Sequence, residues 1–474
     1  MTEERTYDVV VVGAGSTGEN VADRAAKGGL TAVVVESALV GGDCSYWACM
    51  PSKALLRPGH ALGAARRVAG SREAATGDLD AAAVLERRNR FASDWDDAGQ
   101  VGWLDGAGIA LVRGEGRLAG ARRVEVGTAS GTVVLHARHA VVVATGSAPA
   151  VPPIPGLSDS RPWTTKEATS AARPPGRLVV LGGGVAGCEL AQAWASLGTR
   201  VVLLEMADRL LPAYEPVAGE LVADSMRATG VEVRTGVTVT AAERLGDATV
   251  RVHLGDSGVA AGDELLVAAG RRPRTDDLGL DTVGLAPGSW LDVDDSMAVR
   301  GVEGAWLYAA GDVNHRALLT HQGKYQARVC GDAIVARAAG ELDDRPWSRH
   351  SATADHRAVP QVVFTDPEVV AVGFGEAQAA AAGLRVRAVD YALGRVAGAA
   401  LHADDYRGHA RLVVDEDRRV VVGATFVGPD AGELLHGATI AIVGEVPIDR
   451  LWHAVPSYPT LSEVWLRLLE AFGL

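Results

Sequence analysis

Tyr7-Asp8-Val9-Val10-Val11-Val12-Gly13-Ala14-Gly15-Ser16-Thr17-Gly18 decides the fold. A short β-branched run of this kind suits a parallel strand buried on both faces. The GxGxxG follows at once, residues 19–27 read as helix, and residues 31–35 read as a second strand ending in Glu36. Gly13, Gly15 and Gly18 let the backbone approach a pyrophosphate at a helix N-terminus, and Glu36 is placed to accept a hydrogen bond from a ribose hydroxyl. A lone GxGxxG is weak evidence. Strand, glycine turn, helix, strand and acid in that order are strong evidence for a dinucleotide site, and a tight βα turn with no ligand is the minor reading.

The unit recurs downstream. Residues 177–181 form a strand, Gly182-Gly183-Gly184-Val185-Ala186-Gly187 the turn, 188–197 a helix, and 199–204 a strand closing on Glu205. Two such units imply two dinucleotide cofactors. A carboxylate at the position of Glu205 binds the ribose hydroxyls of NAD and repels the extra phosphate of NADP; Arg200 and Arg209 nearby leave NADPH open.

Close behind the first unit comes Gly41-Gly42-Asp43-Cys44-Ser45-Tyr46-Trp47-Ala48-Cys49-Met50-Pro51-Ser52-Lys53. In an intracellular enzyme a closely spaced cysteine pair is more often catalytic or metal-binding than a structural staple. Cys44 and Cys49 read as a redox-active disulfide. A zinc site needs more ligands; Cys188 and Cys330 each stand alone and no His lies at ligand spacing beside the pair, so no metal is expected. Two reduced core cysteines would be the better reading of an isolated CxxxxC, and the dinucleotide unit beside it lowers that reading. The lysines are Lys27, Lys53, Lys166 and Lys324 alone, so a lysine directly behind the pair is a weak pointer to function.

The 474 residues carry a formal net charge of −13, with 48% hydrophobic and 22% charged residues. That length allows about three domains of ~150 residues each. The acidic balance argues against nucleic acid or an anionic membrane as partner, because such binding runs on clustered Lys and Arg. No apolar run approaches the ~20 residues of a membrane helix. The opening Met1-Thr2-Glu3-Glu4-Arg5-Thr6 lacks a signal-peptide pattern, and a cytoplasmic protein is expected. Pro149, Pro152, Pro153 and Pro155 follow a strand at 140–144, and Pro273 follows a strand ending at Gly270; both read as domain crossings. Residues 81–98 read as helix and 343–359 as irregular. Beyond Pro360, strands alternate with two helical stretches as a separate α+β module.

Together these residues resemble the flavoprotein disulfide reductases, the pyridine nucleotide-disulfide oxidoreductase family, over nearly the whole chain. The likeness extends to Ala144-Thr145-Gly146, Gly270-Arg271-Arg272-Pro273 and Tyr308-Ala309-Ala310-Gly311-Asp312 with His321 following. It includes Phe364-Thr365-Asp366-Pro367-Glu368 and Pro459-Thr460-Leu461-Ser462-Glu463. The resemblance implies an α/β fold of two Rossmann-like dinucleotide-binding domains plus a C-terminal α+β dimerisation domain. FAD binding would occupy 1–150 and 271–347, NAD(P) binding 151–270, and the interface of a homodimer 348–474. FAD would rest on Gly13, Gly15, Gly18, Glu36, Gly42, Lys53, Thr145, Gly146, Gly311, Asp312 and His321, with Asp312 reaching the ribityl chain. NAD(H) would rest on Gly182, Gly184, Gly187, Glu205 and Gly270. By motif position Cys49 is the flavin-proximal cysteine, Cys44 the interchange cysteine, and Lys53 lies by the flavin ring paired with Glu189. A cation there stabilises developing negative charge and lowers the pKa of a neighbouring thiol.

The family usually carries His-Pro-Thr-x-Ser-Glu, whose histidine comes from the partner subunit as acid–base for the interchange thiol. Here Tyr458 stands in that place, with Glu463 keeping the acidic one. An ordinary tyrosine titrates near 10, against about 6.5 for histidine, so it donates a hydrogen bond at neutral pH and accepts a proton poorly. Packing beside the flavin pocket is an equally good reading of Tyr458, and His453, although near in sequence, is not at the motif position. Mercuric reductases share a tyrosine there but add a late cysteine pair, whereas the last cysteine here is Cys330; soluble transhydrogenases share it but usually lack one redox cysteine. Tyr46 and Trp47 offer either a narrowed approach to Cys44 or a flat surface for an aromatic acceptor.

The leading expectation is an FAD-dependent enzyme that passes electrons from NADH through FAD to a Cys44–Cys49 disulfide and on to a disulfide-type small-molecule acceptor. The alternative is direct reduction of a quinone or metal ion by the flavin. A redox-sensing flavoprotein ranks last.

Overall fold

The computed structural model describes residues 3–246 and 249–474. The chain divides into two compact units, one built from residues 1–51, 89–149 and 271–355, the other from 52–88, 150–270 and 356–474.

In the first unit the valine run becomes the end of a central strand, β1 (Glu3–Val12), with Val9, Val10 and Val11 fully buried. It pairs in parallel with β2 (Ala32–Glu36) on one side and with Gly131–Val143 on the other. Parallel neighbours on both edges and covered faces are what a continuous β-branched run requires. The strand order is Ala110–Arg113, β2, β1, Gly131–Val143, Arg123–Thr128, Glu115–Leu118, and Leu307–Ala309 also pairs with Gly131–Val143. The glycine turn leads into α1 (Ser16–Lys27), which packs against the helix Thr320–Ala339 closely enough that a Cβ on Gly323 would lie 2.4 Å from Thr17 Oγ1. α2 (Gly42–Tyr46) and the start of α3 (Cys49–Arg66) carry the cysteines.

The second unit repeats the construction. Its parallel sheet runs Glu232–Arg234, Arg200–Leu204, Arg177–Leu181, Glu264–Val267, with the helix Val185–Ser196 following the second glycine turn. A three-stranded antiparallel sheet, Ala241–Arg244, Val250–His253 and Val259–Gly262, belongs to the same unit. Beyond Pro360 an antiparallel sheet runs Gln361–Val363, Glu368–Gly373, Val420–Gly428, His409–Asp415, Val386–Ala392. Helices Leu435–Val443 and Val464–Phe472 contribute Leu435, Ala438, Ile442, Leu468 and Phe472 to its core.

Three expectations change. The helix expected over 81–98 ends at Phe91, because Ser93, Asp94 and Trp95 take positive φ of 50°, 50° and 59°, and a new helix starts at Ala98. The strand expected to end at Gly270 ends at Val267. The C-terminal module holds further short helices, Glu376–Ala381, Ala397–His402 and Ile448–Leu451, too brief to show a helical period. No helix among the described residues is long and apolar enough to cross a membrane.

Both glycine turns depend on missing Cβ atoms. A Cβ on Gly187 would sit 1.8 Å from Gly182 O, and one on Gly18 would sit 1.9 Å from Gly13 O. Gly187→Ala is therefore expected to force the turn open and lower stability by about 1–3 kcal/mol, read as a lower urea midpoint; an unchanged midpoint contradicts the close crossing.

Candidate active site

The first glycine turn is organised by Glu36. Its Oε2 accepts the Ala14 N–H at 2.8 Å and its Oε1 the Ala38 N–H at 2.8 Å. Each oxygen keeps a lone pair that a ribose hydroxyl can use. Glu205 does the same at the second turn, accepting Gly183 N–H at 2.5 Å and Ala207 N–H at 2.7 Å. Around the first turn, Gly146 borders open space, a Cβ on Gly15 would meet Gly42 Cα at 3.8 Å, and Gly13 is pressed against Ala144, a Cβ there meeting Ala144 O at 2.4 Å. Thr145 Oγ1 is buried without a hydrogen-bond partner. An open glycine cradle at the N-terminus of α1, a carboxylate at its ribose end and an orphaned hydroxyl beside it fit a bound dinucleotide. Gly184 borders open space at the second turn, and a Cβ on Gly270 would come no nearer than 4.0 Å to Ala150. Of the two arginines near Glu205, Arg200 is exposed and Arg209 donates to Pro212 O at 3.1 Å.

The redox loop lies against this turn. Gly41 N–H donates to Ala14 O at 2.8 Å, and a Cβ on Gly42 would stand 2.8 Å from Gly15 Cα. Cys44 and Cys49 are both half-buried and are present as thiols, while Cys188 and Cys330 are fully buried. Hydrogen bonding to Cys49, then burial, raises the Cys44 thiol, and Thr320 and Lys324 act in the opposite direction. Cys49 Sγ lies 3.2 Å from Thr320 Oγ1. Behind the loop, Arg271 and Arg274 hold Asp43 at 3.5 and 3.2 Å. Arg271 Nε also donates to Ser147 Oγ at 2.5 Å, and Ser147 Oγ donates to Asp312 Oδ2 at 2.6 Å. Asp312 is thus tied to the redox loop by way of Ser147 and Arg271. Gly311 N–H donates to Gln326 Oε1 at 2.8 Å, and His321 lies exposed in the first turn of Thr320–Ala339.

In the second unit Lys53 Nζ meets Glu189 Oε2 at 2.6 Å; the Lys53 side chain is 33% exposed and that of Glu189 4%. Glu189 Oε1 accepts the Phe364 N–H at 2.9 Å, and Lys53 Nζ lies 5.0 Å from the centre of the Phe364 ring. The ion pair joins two residues 136 apart in sequence and, with the Phe364 N–H, satisfies both carboxylate oxygens. Tyr458 is 77% exposed and His453 is exposed, while Glu463 is buried and held by Arg467 at 2.6 Å. Tyr46 is buried, its hydroxyl donating to Val40 O at 3.0 Å, and burial pushes its pKa up to about 12. Tyr46 is therefore a core residue and presents no flat surface to an acceptor. No cluster of metal-ligating side chains occurs among the described residues.

The sequence reading missed Thr320, the arginines that hold Asp43, and Glu19. Glu19 is in the first turn of α1, 8% exposed, with Oε1 buried and unpartnered. Burial pushes its pKa up to about 7, against the pull of Lys324. A charged residue directly behind the last glycine of the turn, where the helix must pack, was the available signal.

Residues 7–340 match the pyridine nucleotide-disulphide oxidoreductase family and residues 359–468 its dimerisation domain. The chain is 32% identical to a mercuric reductase of Shigella flexneri over 96% of its own length and 79% of that protein. It is 32% identical to a dihydrolipoyl dehydrogenase of Thermus scotoductus over 98% and 97%. The structure superposes on that of LpdA from Mycobacterium tuberculosis with a TM-score of 0.84 and 25% identity, covering 100% of both chains. The chain belongs to the pyridine nucleotide-disulphide oxidoreductase family. Members of this family use FAD and NAD(P)H, and the assignment indicates FAD-dependent NAD(P)H disulfide oxidoreductase activity with the acceptor open.

The raised pKa of Glu19 has a stability consequence. The folded state holds the proton more tightly than the unfolded chain, so the favourable contribution is complete below about 4.5 and is lost as pH rises through about 7. Glu19→Gln is expected to gain in Tm relative to wild type as pH rises across that window. A pH-independent difference between the two melting curves contradicts the burial of this carboxyl.

Proposed function

We propose that the enzyme takes hydride from NADH and delivers the electrons, by way of FAD, to a Cys44–Cys49 disulfide, whose dithiol form reduces a small-molecule disulfide. FAD supplies the exchange between a two-electron hydride donor and a thiol pair. In this reading Gly13, Gly15, Gly18, Glu36, Gly42, Thr145, Gly146, Gly311, Asp312 and His321 hold FAD. Gly182, Gly184, Gly187, Glu205 and Gly270 hold NADH, and Glu205 disfavours a 2′-phosphate by charge. The Lys53 ammonium, oriented by Glu189, stabilises negative charge near the flavin. Cys44 is the thiol that meets the acceptor, and Cys49 resolves the mixed disulfide. The working form is a homodimer joined through the dimerisation domain, with FAD binding assigned to 1–150 and 271–347, NADH binding to 151–270 and the interface to 348–474. In that dimer Tyr458 lines the approach as a hydrogen-bond donor, and buried Glu463 supports its segment.

One observation carries the reading. Cys44 and Cys49 are half-buried thiols on the loop that Gly41 ties to the first glycine turn through Ala14 O, while the other two cysteines are fully buried. The mercuric reductase among the relatives gives a second acceptor class the same thiol pair would suit, a thiophilic metal ion.

The test is NADH oxidation by the purified holoenzyme with lipoamide, glutathione disulfide, mercuric ion or a naphthoquinone as acceptor, in wild type and in Cys44→Ser. Disulfide-dependent turnover that falls to background in the variant is expected. Quinone turnover that survives Cys44→Ser, with no disulfide turnover in wild type, contradicts the proposal and assigns the acceptor to the flavin.

A further inference from the structure

Asp312 sits on a turn, residues 310–315, whose conformation decides where its carboxylate lies. Within the turn, Asn314 N–H donates to Gly311 O at 3.1 Å and His315 N–H to Asp312 O at 2.9 Å. Gly311 is buried with a φ of 80°, and a Cβ on it would stand 2.8 Å from Thr17 Oγ1 in the first glycine turn. A buried N–H of this kind needs an acceptor within the protein. Gln326, on the helix Thr320–Ala339 and 0% exposed, supplies it. Its Oε1 accepts the Gly311 N–H at 2.8 Å and Asn314 Nδ2 at 2.8 Å.

The other end of the same amide is held as well. Gln326 Nε2 donates to Asp355 Oδ2 at 2.9 Å, and Gln322 Nε2, one helical turn earlier, donates to Asp355 Oδ1 at 2.5 Å. The Asp355 side chain is 0% exposed, and Arg316 Nη1 stands 3.6 Å from its Oδ2. A backbone N–H can only donate and a carboxylate can only accept, so a single orientation of the Gln326 amide serves both neighbours, oxygen toward Gly311 and nitrogen toward Asp355. A glutamate at 326 would serve Gly311 but set two carboxyl groups face to face, and an apolar residue there would orphan the Gly311 N–H. The side-chain type is dictated from both ends.

We propose that Gln326 is a positioning residue of the FAD site, that Asp355 fixes its amide, and that this buried pair sets the Asp312 carboxylate for the ribityl hydroxyls. The inference rests on the FAD-holding role given to Asp312 above. Two bonds then share the work. The Gln326–Gly311 bond fixes the backbone one residue before Asp312, and Ser147 Oγ, donating to Asp312 Oδ2 at 2.6 Å, fixes the side chain. Without the first, the second holds a carboxylate on a loosened backbone, and hydrogen bonds weaken steeply once distance and angle drift. Gln326 acts on FAD through the turn, and Asp355 acts through Gln326.

The test follows FAD release from the holoenzyme as the rise in free-flavin fluorescence after dilution, with far-UV circular dichroism on the same samples to show that the chain stays folded. The variants are Gln326→Glu, Asp355→Asn, the two together, and Asp312→Ala as the reference for a lost contact. Each single change at 326 or 355 sets like groups face to face, two carboxyls or two amide NH2 groups, and is expected to speed release about tenfold or more. The double variant restores one donor and one acceptor with their places exchanged, and release is expected to return to within about threefold of wild type. Where a single variant is recovered without FAD, recovery of flavin in the double supports the pair and its absence overturns it. Unchanged release in Gln326→Glu, where Asp312→Ala speeds it, overturns the positioning role and leaves the FAD site standing. Faster release in both single variants with no recovery in the double also overturns it, because a packing defect behaves that way. Unchanged release in Asp312→Ala overturns the role of Asp312 itself, and the inference with it.

Discussion

The structure depends on two places where backbone crosses backbone with no room for a Cβ. At Gly13 and Gly18, and again at Gly182 and Gly187, a strand end, a turn and a helix start are drawn so close that a methyl group would overlap a carbonyl oxygen at 1.8–2.5 Å. That closeness sets Glu36 where its oxygens collect the Ala14 and Ala38 N–H groups. In the first unit, the tail of β1, the redox loop and the Ala144–Gly146 segment all meet at this crossing. A residue with a side chain there would separate them together.

Charge is then distributed by whether a carboxylate has its partners. Glu36, Glu205 and Glu189 each have both oxygens occupied by a backbone N–H or a cation, which offsets the cost of taking a carboxylate out of water. Glu19 is the exception. With one oxygen unpartnered and 8% exposure, it relieves its desolvation by holding a proton into the neutral range. Asp43 is held by Arg271 and Arg274, so the residue before Cys44 is fixed by two cations.

Much of this was legible in the sequence because the glycine units are local. Strand, turn, helix and acid follow within some thirty residues, and the strand at 177–181 has the bounds the β-branched run suggested. The Cys44–Cys49 spacing and the lysine behind it were equally visible. What was not visible depends on pairs far apart in the chain: Cys49 with Thr320, Asp43 with Arg274, Lys53 with Glu189. The last pair was reached only through resemblance to a family. Of the two readings given for Tyr46 and Trp47, the flat surface fails at Tyr46, because only the fold shows its hydroxyl closing on Val40 O. The break at residues 93–95 escaped because Ser-Asp-Trp carries no glycine or proline to announce positive φ.

The central claim is that electrons from NADH reach the Cys44–Cys49 pair. The most direct measurement is anaerobic alkylation of the air-oxidised holoenzyme before and after one equivalent of NADH, with the modified cysteines identified by mass spectrometry. The account predicts that Cys44 and Cys49 are both protected before NADH and both open to alkylation after it. Flavin absorbance that bleaches on NADH addition while the two cysteines keep their initial state would contradict it.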